Sequence, residues 1–400
     1  MLDGRWITIK GAKRGLPVFT VALSLALLIN FVLIFLRVEI ASYTGDEPNY
    51  TVSWDKVRYP YAAFYTDELS YYNSRIDSPL LYEIGNRLSF MIQKKIPVNI
   101  NLYVYYVHFL KSTLNLSWTG VLFFTGLLYN VVFVVFLSYI LTNILELEDR
   151  KSLFLLLFII TSPPYLQLIS SWLRDLLIFD LVLGAFIAAK QRKVFSWVVI
   201  TLLLLSIRAY MVPISVFILF YFYPRRKHIS NSNIFKLNLI SIIFIGTILT
   251  IILSAEGHER FVGEFPQRFV ENFTGLTLWL VTGKIILRNG VYNFLSNIEM
   301  LSAYFYPFFY CILYMALFVR KFLAKAEFTQ EQKMYFFAFF IIGLYITVLH
   351  SAYFGFFVSR IKFITMIFGF LCFASLFETN TGDISDHYVN MSRTISNDMR

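Results

Sequence analysis

Asp67 and Glu68 stand side by side in FYTDELSYYNSR (64–75), a polar stretch whose Tyr71 and Tyr72 follow within one turn. A carboxylate in such a setting can take a proton from a hydroxyl held beside it. Tyrosine faces offer flat amphipathic surfaces on which ring-shaped ligands stack. The same Asp-Glu-x-x-Tyr spacing begins at Asp46 in GDEPNY, so Asp46 is a second candidate acid. The plain alternative for either copy is a solvated turn with ordinary acidic residues.

Five arginines form the complementary set. Arg174, Arg208, Arg268, Arg288 and Arg360 lie at or within the edges of apolar runs. An arginine there ordinarily reaches back to the lipid headgroups. That account is weakest for Arg208, near the middle of FSWVVITLLLLSIRAYMVPISVFILFYFY (195–223). A charge so deep needs an anionic partner, and the candidates are Asp175, Asp180 or a ligand phosphate. Metal-ligand spacing such as CxxC or HExxH is absent, and the five histidines are scattered. Cys311 and Cys372 both fall inside apolar runs, where cysteine behaves as a small buried hydrophobe rather than half of a disulfide.

The elements that must position these residues are membrane helices. Of the 400 residues 58% are hydrophobic, above the ~45–50% of soluble domains. The apolar runs are long and do not alternate, which excludes a membrane β-barrel. The net charge of +10 gathers in short loops beside those runs, the positive-inside pattern, so nucleic acid is not an expected partner. The expected fold is an all-α polytopic membrane protein of about ten transmembrane helices with both termini cytoplasmic. Residues 1–378 form one transmembrane domain with outer loops at about 38–100 and 255–299, and 379–400 form a polar tail without fixed structure. The first run, about 17–36, is read as an anchor rather than a removed leader. SPLLYEIGNRLSFMIQKK in the first outer loop has the spacing of an amphipathic surface helix, and NLYVYYVHFLKSTLNLSW reads as a second interfacial segment. LTLWLVTGKIILRNG (276–290) is expected to be interfacial or re-entrant.

Two breaks are expected within the spans. Pro163 and Pro164 interrupt one helix. The 195–223 run lies between the basic clusters KQRK and PRRKH, and keeping both on one side makes it a hairpin with Arg208 at its tip. Each arm is then too short for a ~30 Å core, a geometry that points to a site.

On this topology the acids of the first outer loop and the arginines share the outer side. A sugar carried on a polyprenyl phosphate or pyrophosphate suits that arrangement. Arginine grips the anionic leaving group as the glycosidic bond breaks, and a carboxylate takes the proton of the attacking hydroxyl.

TDELSYYNSRIDSPLLYE, an outer-loop Asp-Glu-x-x-Tyr running into SPLLYEI after a first span, resembles the lipid-sugar-dependent multi-spanning (GT-C) glycosyltransferases. The resemblance implies a GT-C-like fold with Asp67 as the catalytic base, Glu68 beside it and Asp46 as runner-up. The Phe-rich helices, WLRDLLIFDLVL and the late FVSRIKF also resemble bacterial O-antigen and capsule repeat-unit polymerases. That implies a glycosyltransferase of lipopolysaccharide or capsule assembly in a bacterial inner membrane, acting on undecaprenyl-linked units at the periplasmic face. Substrate binding falls to the five arginines with Tyr71 and Tyr72. No cofactor is implied and a divalent metal stays open; a chain-length regulator or another assembly protein is a further implied partner. A single-sugar transferase and, from another class, a lipid-linked oligosaccharide flippase are the alternatives.

Overall fold

The computed structural model describes residues 19–33, 35, 82, 85–86, 89–90, 92–93, 102–116, 118–169, 175–223, 231–253, 265–267, 269–270, 294–323, 325, 327–349, 351 and 359–377. Among these the chain is all-helical. The helices are α1 (Phe19–Leu33), α2 (Leu102–Thr113), α3 (Trp118–Tyr139), α4 (Asp149–Ile160), α5 (Pro163–Ile169), α6 (Asp175–Lys190), α7 (Val194–Ile207), α8 (Val212–Phe222), α9 (Asn231–Leu253), α10 (Phe294–Phe318), α11 (Gln330–Leu349) and α12 (Ser359–Ser375). Four stretches are long and apolar enough to cross a membrane, and α4 with α5 makes a fifth if counted as one bent span. Those two helices meet at 64°, where Pro163 and Pro164 open α5 and remove the backbone donors that would continue α4.

Side-chain bonds fix which helix ends lie together. Lys190 at the end of α6 pairs with Glu331 at the start of α11. Its ammonium also lies 5.3 Å from the Tyr335 ring and 5.7 Å from the Phe222 ring. Gln191 donates to the Tyr139 hydroxyl at 2.6 Å, and Gln332 donates to the Ser375 carbonyl at 2.8 Å. The end of α3, the end of α6, the end of α8, the start of α11 and the end of α12 therefore share one level, the basic end. At the opposite level Arg208 meets Asp175, and the Tyr345 hydroxyl donates to the Tyr210 carbonyl at 2.5 Å. This is the tip end.

These contacts decide the shape of Val194–Phe222. Its length and composition would pass for one straight 29-residue span. Yet Trp197 donates its indole N–H to the Ser215 carbonyl at 3.1 Å, and the Thr201 and Ser215 hydroxyls are 2.7 Å apart. Fourteen residues of straight helix would separate the latter pair by ~21 Å. The segment is a hairpin, as the flanking basic clusters predict. Its arms, α7 and α8, are ~21 Å and ~16 Å long, so neither spans the hydrocarbon core alone. A cysteine pair at Thr201 and Ser215, with Cys311 and Cys372 changed to alanine, is expected to close on mild oxidation in native membranes. Loss of both sites to a maleimide label would report it; continued double labelling would mean a straight helix.

Large rings are set among the aliphatic side chains of the core. Phe133, Tyr165, Phe179 and Phe363 meet with centroids 5.0–6.5 Å apart, joining α3, α5, α6 and α12. In lipid the apolar phase outside is as favourable as the core, so such packing and a few interhelical hydrogen bonds must supply the association. One bonded set ties three helices: Asn130 donates to the Ala26 carbonyl at 2.9 Å and accepts from the Tyr165 hydroxyl. Cys372 is buried as expected, but Cys311 is exposed, on a face of α10 turned away from the bundle; neither forms a disulfide.

Candidate functional site

The tip of the hairpin is built around Arg208. It ends α7 in an extended conformation (φ −148°, ψ 92°), and a single 3-10 turn, Ala209–Met211, leads into α8. Pro213 starts the second arm without sacrificing an intrahelical donor. Non-helical backbone at this depth is tolerated where protein encloses it. Here Ala209, Tyr210 and Met211 are all buried, and Tyr345 of α11 bonds the tip from the side.

Arg208 pairs with Asp175, Nη1 to Oδ1 3.1 Å, with both side chains nearly excluded from the surface. The guanidinium also lies 5.3 Å from the Tyr210 ring. Asp175 opens α6, where the exposed amide groups of a helix N-terminus favour negative charge. The sequence left Asp175, Asp180 and a ligand phosphate as candidate partners; the structure places Asp175 there.

Asp180 does something else. Five residues further along α6 it points ~140° away from Asp175. It is 3% exposed, and neither carboxylate oxygen has a hydrogen-bond partner among the described residues. It lines an apolar groove of about 740 Å³ bounded by α2, α3, α6 and α7. Tyr103, Tyr106 and Tyr129 line the same groove, as do Ile200 and Leu203 of the hairpin's first arm. Gly184, one turn below Asp180, keeps the floor open: a Cβ there would come within 3.3 Å of the Phe136 ring. Phe109 and Leu203 are well exposed, so the groove is continuous with the surface that lipid covers. Asp180 can accept hydrogen bonds from a ligand there, in an environment that strengthens each.

Lys362 is the residue whose depth the sequence reading missed. It is buried in the first turn of α12, at the tip end. The signal available was its position at the mouth of the apolar run FITMIFGF. Arg360 precedes it in the same turn, and its side chain lies outside the described residues. Asp46, Asp67, Glu68, Tyr71, Tyr72, Arg174, Arg268 and Arg288 lie outside them as well, as does 276–290. Of the expected surface helix, the described residues among 82–93 are helical. Among the described residues no three His, Cys, Asp or Glu side chains are close enough to hold a metal ion.

Comparison with protein-family models, with curated proteins and with solved structures returns no match for this chain.

Proposed function

We propose that the chain is an integral inner-membrane glycosyltransferase of cell-surface polysaccharide assembly, which draws its sugar from a polyprenyl-(pyro)phosphate donor. The observation that carries this reading is Asp180, a buried acid without a hydrogen-bond partner among the described residues, in the wall of a tyrosine-lined groove open toward lipid. An ionisable side chain kept inside a membrane protein is a functional candidate by default, because its burial is costly. The groove offers apolar walls for an isoprenoid chain, and the acid offers acceptors for sugar hydroxyls at its head. In the proposed topology the basic end faces the cytoplasm, about ten spans alternate across the bilayer, and the tip end faces the periplasm.

The reaction is then a displacement at the anomeric carbon. The acceptor hydroxyl oxygen forms the new glycosidic bond, the bond to the donor phosphate breaks, and the polyprenyl (pyro)phosphate leaves with the electron pair. Asp67 receives the hydroxyl proton, and the outer arginines hold the departing phosphate. Arg208 is a positioning residue that sets the hairpin tip against α6. A guanidinium has five N–H donors, more than one carboxylate uses, so its pairing with Asp175 is compatible with a further anionic contact.

The test is reconstitution of the purified chain with polyprenyl-pyrophosphate-linked oligosaccharide. A ladder of products is the expected result; one added sugar would make it a single-sugar transferase. Asp67→Asn is expected to abolish product while leaving the protein in the membrane, and full product from that variant would reject Asp67 as the base. The re-entrant hairpin with its intramembrane ion pair also favours a second reading, a flippase. Movement of the lipid-linked substrate across the vesicle without a new glycosidic bond would establish that instead.

A further inference from the structure

Tyr103 and Tyr106 stand one turn apart on the same side of α2, with Tyr129 of α3 beside them. Successive ring centroids are 6.3 and 6.5 Å apart and the planes tilt by 41° and 34°, so the three rings make a curved wall. All three line the groove that holds Asp180, and Tyr129 is within electrostatic reach of that acid. The carboxyl group is buried, with no hydrogen-bond partner among the described residues.

A carboxyl group beside three ring faces favours a cation. A ligand hydroxyl can bond the acid but brings no countercharge, and an ionised carboxylate in an apolar wall is costly without one. An ammonium group donates hydrogen bonds or packs its methyl groups there, and supplies the charge as well. Tyrosine faces attract cations too, most strongly where water is excluded.

The rest of the groove sets the remainder of the ligand. Towards the basic end its lining is apolar, with Phe136, Gly184 and Ile200. Gly184 leaves that path open beside the Phe136 ring. Exposed Phe109, Leu128 and Leu203 carry the groove out to the lipid-facing surface. An inorganic cation would gain nothing from these walls. A zwitterionic phospholipid would drag its phosphate toward the carboxyl group, ~7.5 Å along α6 from Asp175.

We propose that this groove binds a single-chain amphiphilic ammonium ion, its nitrogen against Asp180 and the tyrosine wall and its hydrocarbon chain along Gly184, Phe136 and Ile200. The site goes beyond the glycosyltransferase reading and stands without it. Where both hold, the amphiphile and the lipid-linked donor compete for one groove.

The test is photolabelling of the full-length protein in phosphatidylcholine nanodiscs. Three probes share one hexadecyl chain with a terminal diazirine and carry trimethylammonium, hydroxyl or sulfate at the other end. Labelled peptides are mapped by mass spectrometry. The ammonium probe is expected to label α3, α6 or α7 in the groove at about tenfold lower concentration than the alcohol. Asp180→Asn should raise its half-labelling concentration about tenfold and leave the alcohol unchanged, a comparison in which partition into the bilayer cancels. Asp180→Glu should keep the preference, and Tyr106→Leu should weaken it about threefold. A melting temperature at or above wild type shows that Asp180→Asn is folded. If it misfolds, displacement of the label from wild type by unlabelled hexadecyltrimethylammonium, but not by hexadecanol, carries the test. Equal labelling by ammonium and alcohol, labelling unmoved by Asp180→Asn, or equal displacement by chainless tetramethylammonium would overturn the proposal. Turnover of the lipid-linked donor without any probe is a separate measurement, so failure of the enzymatic reading remains distinct from failure of this site.

Discussion

Arg208→Ala is expected to destabilise the protein by about 3–5 kcal/mol, because it leaves the carboxylate of Asp175 buried without its countercharge. Asp175→Ala should do the same from the other side, leaving the guanidinium stranded at the hairpin tip. The effect is read as a lower melting temperature in detergent and a smaller monodisperse peak from membranes. Removing both charges, as Asp175→Leu with Arg208→Met, should recover most of the loss, since a well-packed apolar pair replaces a buried ion pair at little net cost. A large coupling energy in this cycle assigns the stabilising role to the pair itself. If Arg208→Ala melts like wild type, the ion pair does not hold the tip. A well-folded double variant that makes no product would show that the charges serve the reaction as well as the fold.

The hairpin was legible because two kinds of information agreed. KQRK and PRRKH flank the run, and a single span would have put these basic clusters on opposite sides of the membrane. Arg208 in its middle then had to be a turn, and turn and arms are where the sequence put them. Pro163 and Pro164 were equally plain, since proline interrupts a helix by its own covalent structure. The pairing of Arg208 was not legible. Asp175 and Asp180 lie on one helix within two turns. Which of them faces the hairpin depends on the rotation of α6 about its axis, set by contacts with α3, α7, α8 and α12 that no local pattern records. The groove was hidden for the same reason. YVYYVHF in α2 is so evenly aromatic that its inward and outward faces look alike in sequence, and the space exists only where α2 meets α3 and α7. Cys311 shows a further limit: in a membrane protein an apolar neighbourhood does not distinguish the bundle interior from the lipid.

Asp180→Leu separates the two things the groove acid can do. An isolated acid in an apolar wall is unfavourable for the fold, and replacing it with a side chain that suits the wall should raise stability by about 1–3 kcal/mol. If the groove takes the lipid-linked donor, the same substitution removes hydrogen bonds to the sugar head, each worth ~0.5–1.5 kcal/mol. The apparent KM for donor should then rise about 10- to 100-fold, with kcat falling less, because proton transfer is assigned to Asp67. Asp180→Asn, which keeps shape and half of the accepting capacity, should fall between the two. This opposite movement of melting temperature and donor affinity is what a purely structural acid would not produce. Loss of stability with unchanged KM would mean that Asp180 is held by a partner within the protein and that the groove is not the donor site. A fall in kcat with unchanged KM would instead transfer the proton-accepting role from Asp67 to Asp180, about one and a half helical turns below the Asp175–Arg208 pair.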